Sequence, residues 1–551
     1  ELINMASSGN FCTLNPLTEN DSRMSQGNYS NGNLTYDDVG GDGWICNMAM
    51  THKTYCEFRV DGVVNYGGTI GLRGMQAQSQ TYDSVVFQAN YSSGNIYHYK
   101  GDSDQSFSGN AGSTISAGNI VMMAYDPATY KWWVGVNGSW NGSQDPANGS
   151  NPCFTGSATM FENMNITWGG WSGDVNRLDH TWNFGQDSTF GGQETAGGNA
   201  DENGFGDFKY TPPTGFLALC TGNMVISEEL DPAEENQPAK YFDAVAYTGN
   251  GSTQNITGLG FQPDITLIKN RDQTDSWCHQ NSTLGVGKTQ AIDTAAAVAS
   301  ETDCVTAFNS DGFSLGNNHK VNASSENYIA YCWKKSADAG LDIVTYSGDG
   351  STQAISHNLG VTPTMIWIFL NTGSNLDSIC YIDSNNAPSM GTGNGIFMSL
   401  PNGKQASTYV SATSSSSFSV TSSANSSGRT YFAYVFAEKE GFSKFTEYEG
   451  FGNSDGPFIH NNFLGKLNII KAIDSSQMWA TTDTVRETFN PLGEKIIALD
   501  NTYAEFDASG FNYDMVSNGI KIRSSDTNIN SSASFLSLSW ASVPFKYNNT
   551  F

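Results

Sequence analysis

One pattern recurs three times in this chain of 551 residues, and any fold has to accommodate it. It opens at Tyr247 as YTGNGSTQNITGLGFQPDITLIKN, returns at Tyr346 as YSGDGSTQAISHNLGVTPTMIWIFLN, and returns more altered at Tyr448 as YEGFGNSDGPFIHNNFLGKLNIIKA. A second marker closes each copy: YIAYCWK from Tyr328, YFAYVFA from Tyr431 and FLSLSWA from Phe535. Two markers sharing one spacing of roughly a hundred residues identify tandem modules, because so long a period suits whole small domains better than solenoid repeats.

The opening segment of each copy reads as β structure. Asn250-Gly251 and Asp349-Gly350 predict two-residue hairpin turns, each followed by a strand ending at Gly-Leu-Gly or Asn-Leu-Gly. Pro263 or Pro363 comes next, and then ITLIKN or TMIWIFLN, rich in β-branched and aromatic residues. With the closing marker as another strand, each module is a small antiparallel β-sandwich whose first and last strands lie near its ends. The expected modules span 242–340, 341–440 and 441–551. Ahead of them, 224–241 carries five carboxylates and two prolines, which predicts an acidic linker after a first domain at 1–223.

Composition narrows the function classes. The 59 glycines, the Ser, Thr and Asn content and the 15% charged fraction give an all-β profile. Although only 38% of residues are hydrophobic, 24 Tyr, 31 Phe and 12 Trp supply large burial per residue, so the chain folds. A net charge of −28, with no basic run, repels nucleic acid. No apolar run approaches the ~20 residues of a membrane helix, so no membrane insertion is expected. Glu1 stands where an initiator Met would, and the chain is read as a fragment or processed product, a point that intact mass would test. The nine Cys are scattered without a CxxC pair, which favours neither zinc nor a disulfide framework; most are read as small buried hydrophobes.

The first domain contains KTYCEFRV from Lys53, IVMMAYDPATYKWWVGVNGSW from Ile120, WNFG from Trp182 and YTPPTGFLAL from Tyr210. In the second of these, YDPATY turns one strand into the next and the Asn-Gly of VNGSW starts a further return. The set resembles the SPRY domain, which implies a concanavalin-like two-sheet sandwich that binds partners through its loops. YTPPTGF is similar to the ending of SPRY modules in tailed-phage structural proteins. The three modules, with DGFSLG at Asp311, SNGIKIRS at Ser517 and PFKY at Pro544, resemble repeats found downstream of such modules in phage tail-fibre and virion surface proteins. Proteins of that kind often carry another sandwich upstream, which this chain begins too late to include.

Apparent catalytic motifs each have a plainer account. GVGKT from Gly285, with Lys288, imitates the end of a phosphate-binding loop, and the AIDTAAAVAS after it could be a helix, yet Ser282 occupies the place of the first glycine. GFSLG from Gly312 has the spelling of a nucleophile elbow. Alternation, however, puts Phe313 and Leu315 on one strand face and Ser314 on the solvent side, where Ser419 and Lys521 stand in the other copies. Cys278 and His279 are neighbours, but neighbours on a strand face opposite ways. Asn199, Asp201, Asn203 and Gly204 repeat half of a calcium loop, with Tyr210 where the bidentate Glu belongs; they form either a polar loop or a weak calcium site. Trp133, Trp140 and Trp171 are the candidate binding residues. In KWWVGV, Trp132, Val134 and Val136 share a face, and since both faces of a sandwich strand cannot be core, Trp133 lies under a loop or makes a platform for a sugar or protein.

The sequence therefore reads as an all-β chain, a SPRY/concanavalin-like sandwich followed by three tandem small β-sandwich modules. No catalytic residue, cofactor or metal is expected. The resemblance implies a non-enzymatic virion structural protein, a tail fibre or capsid-surface appendage in host attachment or assembly. Its partners would be other virion proteins and a host surface glycan or protein. A glycan-degrading appendage and a cellular adhesin or sheath protein are the alternatives. A string of modules needs bracing from neighbours, so a homo-oligomer is expected, a trimer first, with the uncharged Ser407–Ser427 segment as one contact.

Overall fold

The computed structural model describes residues 10–18, 27–38, 44–64, 69–74, 84–88, 95–100, 103–110, 115–157, 166–171, 177–224, 237–373, 376–507 and 510–544. The chain divides into two compact units, Glu1–Val225 and Ile226–Phe551. Most of the expected acidic linker lies outside the described residues; its end forms the short 3-10 turn Pro238–Lys240. Among the described residues no helix is long and apolar enough to cross a membrane.

The first unit is a two-sheet antiparallel sandwich. One sheet runs Asn28–Ser30, Thr35–Asp37, Arg177–Asn183, Thr54–Val64, Ile120–Asp126, Lys131–Val136 and Ser139–Trp140, and the other is built on Trp44–Ile45, Ile166–Trp171 and Thr69–Gly74. Tryptophans fill the space between them: Trp44 lies 5.1 Å from Trp182, and Trp132 lies 6.0 Å from Trp168. The hairpin read from YDPATYKWWVGVNGSW is present, with Trp132 opposite Tyr125 and a return at Asn137-Gly138, both in the left-handed region that an Asn-Gly turn favours.

The second unit repeats one topology three times. Each module has a large sheet in which the last strand lies between the first and third. In module 1 these are Phe242–Thr248, Asn327–Trp333 and Ile265–Asn270; in module 2, Leu341–Ser347, Thr430–Phe436 and Met365–Thr372; in module 3, Ser443–Glu449, Ser534–Pro544 and Phe463–Ala472. Each also has a three-stranded small sheet, as in Gln254–Thr257, Gly312–Leu315 and Val305–Asn309. The turn at the start of each module departs from the expected hairpin. Phe242–Thr248 and Gln254–Thr257 belong to different sheets, and the intervening turn carries the chain across the sandwich. Only Gly251 and Gly350 are left-handed there, while Asn250 and Asp349 accept hydrogen bonds from Ser252 N and Ser351 N, closing Asx turns.

The repeated tyrosine is explained by what it holds. Tyr247, Tyr346 and Tyr448 donate their hydroxyls to Val321 O, Ala424 O and Ile529 O at 2.7–2.8 Å, and their rings stack on Tyr328, Tyr431 and Phe535 of the closing strands. The residue after each accepting carbonyl is Asn322, Asn425 or Asn530, whose buried amide donates into the module's opening turn. One tyrosine and one asparagine thus clamp the start of each module to its end.

The modules are not a string. In the closing strands, Tyr328, Ala330 and Cys332 face the interior of their own sandwich, while Ile329, Tyr331 and Trp333 face outward into a core shared by all three modules. Phe432, Tyr434 and Phe436, and Leu536, Leu538 and Trp540, do the same. At its centre Trp333, Trp367 and Trp540 lie 5.4–6.5 Å apart. Large sheets buried on both faces correct the premise that a sandwich strand has only one core face, and the bracing expected from a neighbouring copy is supplied within the chain. The Ser407–Ser427 segment belongs to module 2 itself, with Val410, Phe418, Val420 and Ala424 turned into its core.

Loss of the clamp should be costly. Tyr346→Phe, which leaves a buried carbonyl unpaired, is expected to destabilise the second unit by about 1 kcal/mol, and Asn425→Ala by about 1–3 kcal/mol, read as lower urea midpoints at unchanged slope. Equal midpoints for wild type and Asn425→Ala would refute the clamp.

Candidate functional site

The residues that spelled catalytic motifs are held by structural partners. Ser314 lies between buried Phe313 and Leu315, as alternation required; its hydroxyl donates to Asn255 Oδ1 at 2.7 Å and accepts from Asn309 Nδ2 at 2.8 Å. No imidazole takes part in that pair of bonds. Lys288 is exposed on the two-residue strand Lys288–Thr289, where its Nζ donates to Ser300 Oγ. The segment after it turns and then pairs as Ala299–Ser300, so the expected helix over AIDTAAAVAS is absent and GVGKT sits in a hairpin. Asp201 spends both oxygens on its own loop: Oδ1 accepts from Asn203 N and Phe205 N, and Oδ2 from Ala218 N and Asn223 Nδ2. It is a loop organiser. All nine cysteines are buried and none forms a disulfide among the described residues.

The aromatic candidates fare unevenly. Trp133 is fully buried beneath residues 205–220, edge-on to Phe216 with ring centroids 5.8 Å apart, and its Nε1 donates to Ser150 O at 2.8 Å. That cover excludes it as a platform. Trp140 is half-buried against Tyr55 in the same cluster. Trp171 ends the strand Ile166–Trp171, and its side chain lies outside the described residues. The cover is tied down by Glu57, which accepts from Lys209 N, Tyr210 N, Tyr55 Oη and Asn183 Nδ2 while burial pushes its carboxyl up to about 7.

The most elaborate polar arrangements lie where the three modules meet, and they follow one cyclic rule. Trp277 of module 1 donates its Nε1 to Ala498 O of module 3, and Trp479 of module 3 donates to Phe397 O of module 2. Lys269 reaches Thr502 O of module 3, and Lys471 reaches Pro401 O of module 2. Burial depresses both ammonium groups, each to about 8. Phe369 holds the corresponding position in module 2 and packs on His279 of module 1, whose Nε2 is hydrogen-bonded to the Tyr434 hydroxyl. Cys278 faces the other way, into its own sandwich, so the adjacent pair is no dyad. Burial holds the His279 imidazole down at about 4.

Chain links run from module 1 to 2 and from 2 to 3, so the contact between 3 and 1 closes the ring without one. It holds a buried ion network. Arg271 grips Glu505 with two bonds of 2.8 and 2.9 Å, Arg486 donates to Glu505 at 3.0 Å and to Asp483 at 2.6 Å, and Tyr331 donates to Asp483 at 2.7 Å. Arg486 and Asp483 have essentially no exposed side-chain surface, so each charge depends on the other. Burial would raise both carboxyls; Arg486 beside Asp483, and Arg271 with Arg486 around Glu505, outweigh it and hold both below the usual range. The sequence pointed to none of these residues, because the contacts that join the two modules, Arg271 to Glu505 and Tyr331 to Asp483, span 234 and 152 positions.

Residues 237–544 match the family model described as "Domain of unknown function (DUF7483)". Solved structures similar to part of the chain include the SPRY domain of human HERC1, at 13% identity and a TM-score of 0.22, covering 31% of this chain and 96% of that one. A carbohydrate-binding module, CBM66 from Bacillus subtilis, has 6% identity and a TM-score of 0.22, covering 32% and 93%. A structure of botulinum neurotoxin type C, described as dependent on two ganglioside molecules for cell entry, has 9% identity and a TM-score of 0.20, covering 80% and 100%. No curated protein matches.

The closure makes two measurable demands. Arg486→Ala, which strands a buried carboxylate, is expected to cost about 3–5 kcal/mol, against about 1 kcal/mol or less for Arg271→Ala at the more exposed edge. Acid should weaken the ring as well. Carboxyls with folded-state values below their unfolded ones contribute stability that is lost as pH falls through the folded values, and buried His279 adds a loss between about 6.5 and 4. Melting followed from pH 7 to 3 checks the sign; a midpoint constant across that range, or equal costs for the two arginines, contradicts the account.

Proposed function

The chain belongs to the family described as "Domain of unknown function (DUF7483)", and for it we propose the role of a non-enzymatic structural protein on the surface of a tailed-phage virion, a tail fibre or capsid appendage used in host attachment or assembly. The observation that carries the reading is the fate of the groups capable of bond chemistry. Ser314, Lys288, His279, Asp201, Arg486 and the buried lysines are each engaged in holding sheets, loops or modules together. What remains for partners is an acidic outer surface of turns and hydroxyl-bearing strands on a scaffold whose three modules share one core. The sequence resemblance to phage tail-fibre and virion surface modules supplies the setting.

In this reading the chain lies on the virion surface, its partners are other virion proteins and a host surface glycan or protein, and it assembles as a homo-oligomer. A trimer remains first choice on symmetry alone, since the ring no longer needs a neighbour to brace it.

Antibody labelling of intact particles tests the setting: decoration of tail or capsid surface is expected, and exclusion from purified particles overturns it. Incubation with host polysaccharide tests the chemistry, with binding but no release of reducing ends expected; sustained release would establish the glycan-degrading alternative. Ser314→Ala and Lys288→Ala should change stability by no more than about 0.5 kcal/mol and leave particle attachment intact.

A further inference from the structure

Among the described residues only four large hydrophobic side chains are exposed, Val286, Val361, Phe489 and Tyr503, and the two aromatic ones are Phe489, 85% exposed, and Tyr503, 62% exposed. Both stand on loops of module 3 that are tied to each other. Ile496 and Phe506 exchange both backbone hydrogen bonds at 3.1 Å, and Arg486, three residues before Phe489, donates to Glu505, two residues after Tyr503. An exposed ring on a slack loop is unremarkable, but these loops are fixed. Glu487, 9% exposed, accepts from Gly493 N and Glu494 N; Asn490 exchanges two bonds with the Met515 backbone; Arg486 donates to Lys495 O; and Tyr503 N donates to Asn501 Oδ1. The ordering cost that usually opposes binding through a loop has thus been met in folding.

We propose that Phe489 and Tyr503 form an aromatic platform for a neutral hexose glycan, a proposal that rests on the attachment reading and names its ligand class. A hexose offers an apolar face of C–H groups to an aromatic ring and hydroxyls at its rim, and the exposed Thr488 and half-buried Thr502 are the chain neighbours of the two rings. The net charge of −28 weighs against sialylated or otherwise anionic glycans, and the exposed cation of the Phe489 loop, Lys495, donates its ammonium to Arg486 O. The platform sought at Trp133 is therefore placed in module 3, where the rings are presented to solvent.

The test is the full chain on an array of neutral and anionic polysaccharides. Retention of neutral hexose glycans with little dependence on salt is expected. Phe489→Ala and Tyr503→Ala should each weaken retention roughly tenfold, in proportion to one lost stacking contact, the double variant should abolish it, and Phe489→Tyr should preserve it. Melting temperatures should not move, because both rings are outside the core; Val286→Ala serves as the exposed control and should bind as wild type. Binding only to anionic glycans, binding indifferent to both alanine variants, or no glycan binding overturns the proposal. So does light scattering that finds these rings mediating self-association. If particle labelling succeeds while the array fails, the glycan platform falls and the virion role stands; if labelling fails, the virion role falls whatever the array shows.

Discussion

Burial of both faces of the large sheet in every module is the constraint on which the second unit depends. A strand such as Met365–Thr372 has six consecutive buried residues, Met365 to Leu370, because alternate side chains fill two different cores. A module alone would expose the outward set, including Trp333, Phe436 or Trp540, and burying one such side chain is worth about 1.5–3 kcal/mol. Three modules closing around one centre remove all three surfaces from water at once. Their association is therefore part of folding.

Closure also explains why polar residues are buried where apolar ones would pack. Nonpolar faces attract without direction, and three sheets sharing one core could slide or exchange order. Lys269 and Lys471 each reach into a neighbour's backbone, Phe369 does not, and the fully buried Arg486–Asp483 pair, joined by Arg271 and Tyr331 of module 1, stands where module 3 meets module 1. A charge buried in the wrong neighbour would find no partner, and that penalty of several kcal/mol fixes which module meets which. The third junction, lacking a peptide link, is held by a network built on a fully buried ion pair.

Much of the fold was legible in the sequence, and the misses share a cause. Tyr247, Tyr346 and Tyr448 marked the repeats because each performs the same local task, and strand alternation placed Ser314 and separated Cys278 from His279 correctly. The Asn-Gly turns at residues 137 and 250 looked alike, yet one joins adjacent strands and the other crosses between sheets, a difference set by the partner strand and not by the turn. Trp133 followed the same logic: the strand pattern showed that it faces away from Trp132, but what covers it is residues 205–220, some eighty positions away. The unbroken apolar run MIWIFL was the available signal for a second core face, since a half-exposed strand alternates and this one does not.

The candidate site was less legible than the fold because solvent exposure is itself a product of closure. Phe489 and Trp479 are both aromatic residues of module 3, ten positions apart, and nothing local distinguishes them. Trp479 is buried because the ring brings Phe397 O of module 2 to its indole, whereas Phe489 is left outside because Glu487, Asn490 and Arg486 turn the intervening chain away from that contact. The same guanidinium that neutralises Asp483 inside the closure fixes the loop that presents Phe489 outside it. Presentation of the ring is then a consequence of the closed ring of modules, and the surface available to a partner is decided by which contacts the core has already used.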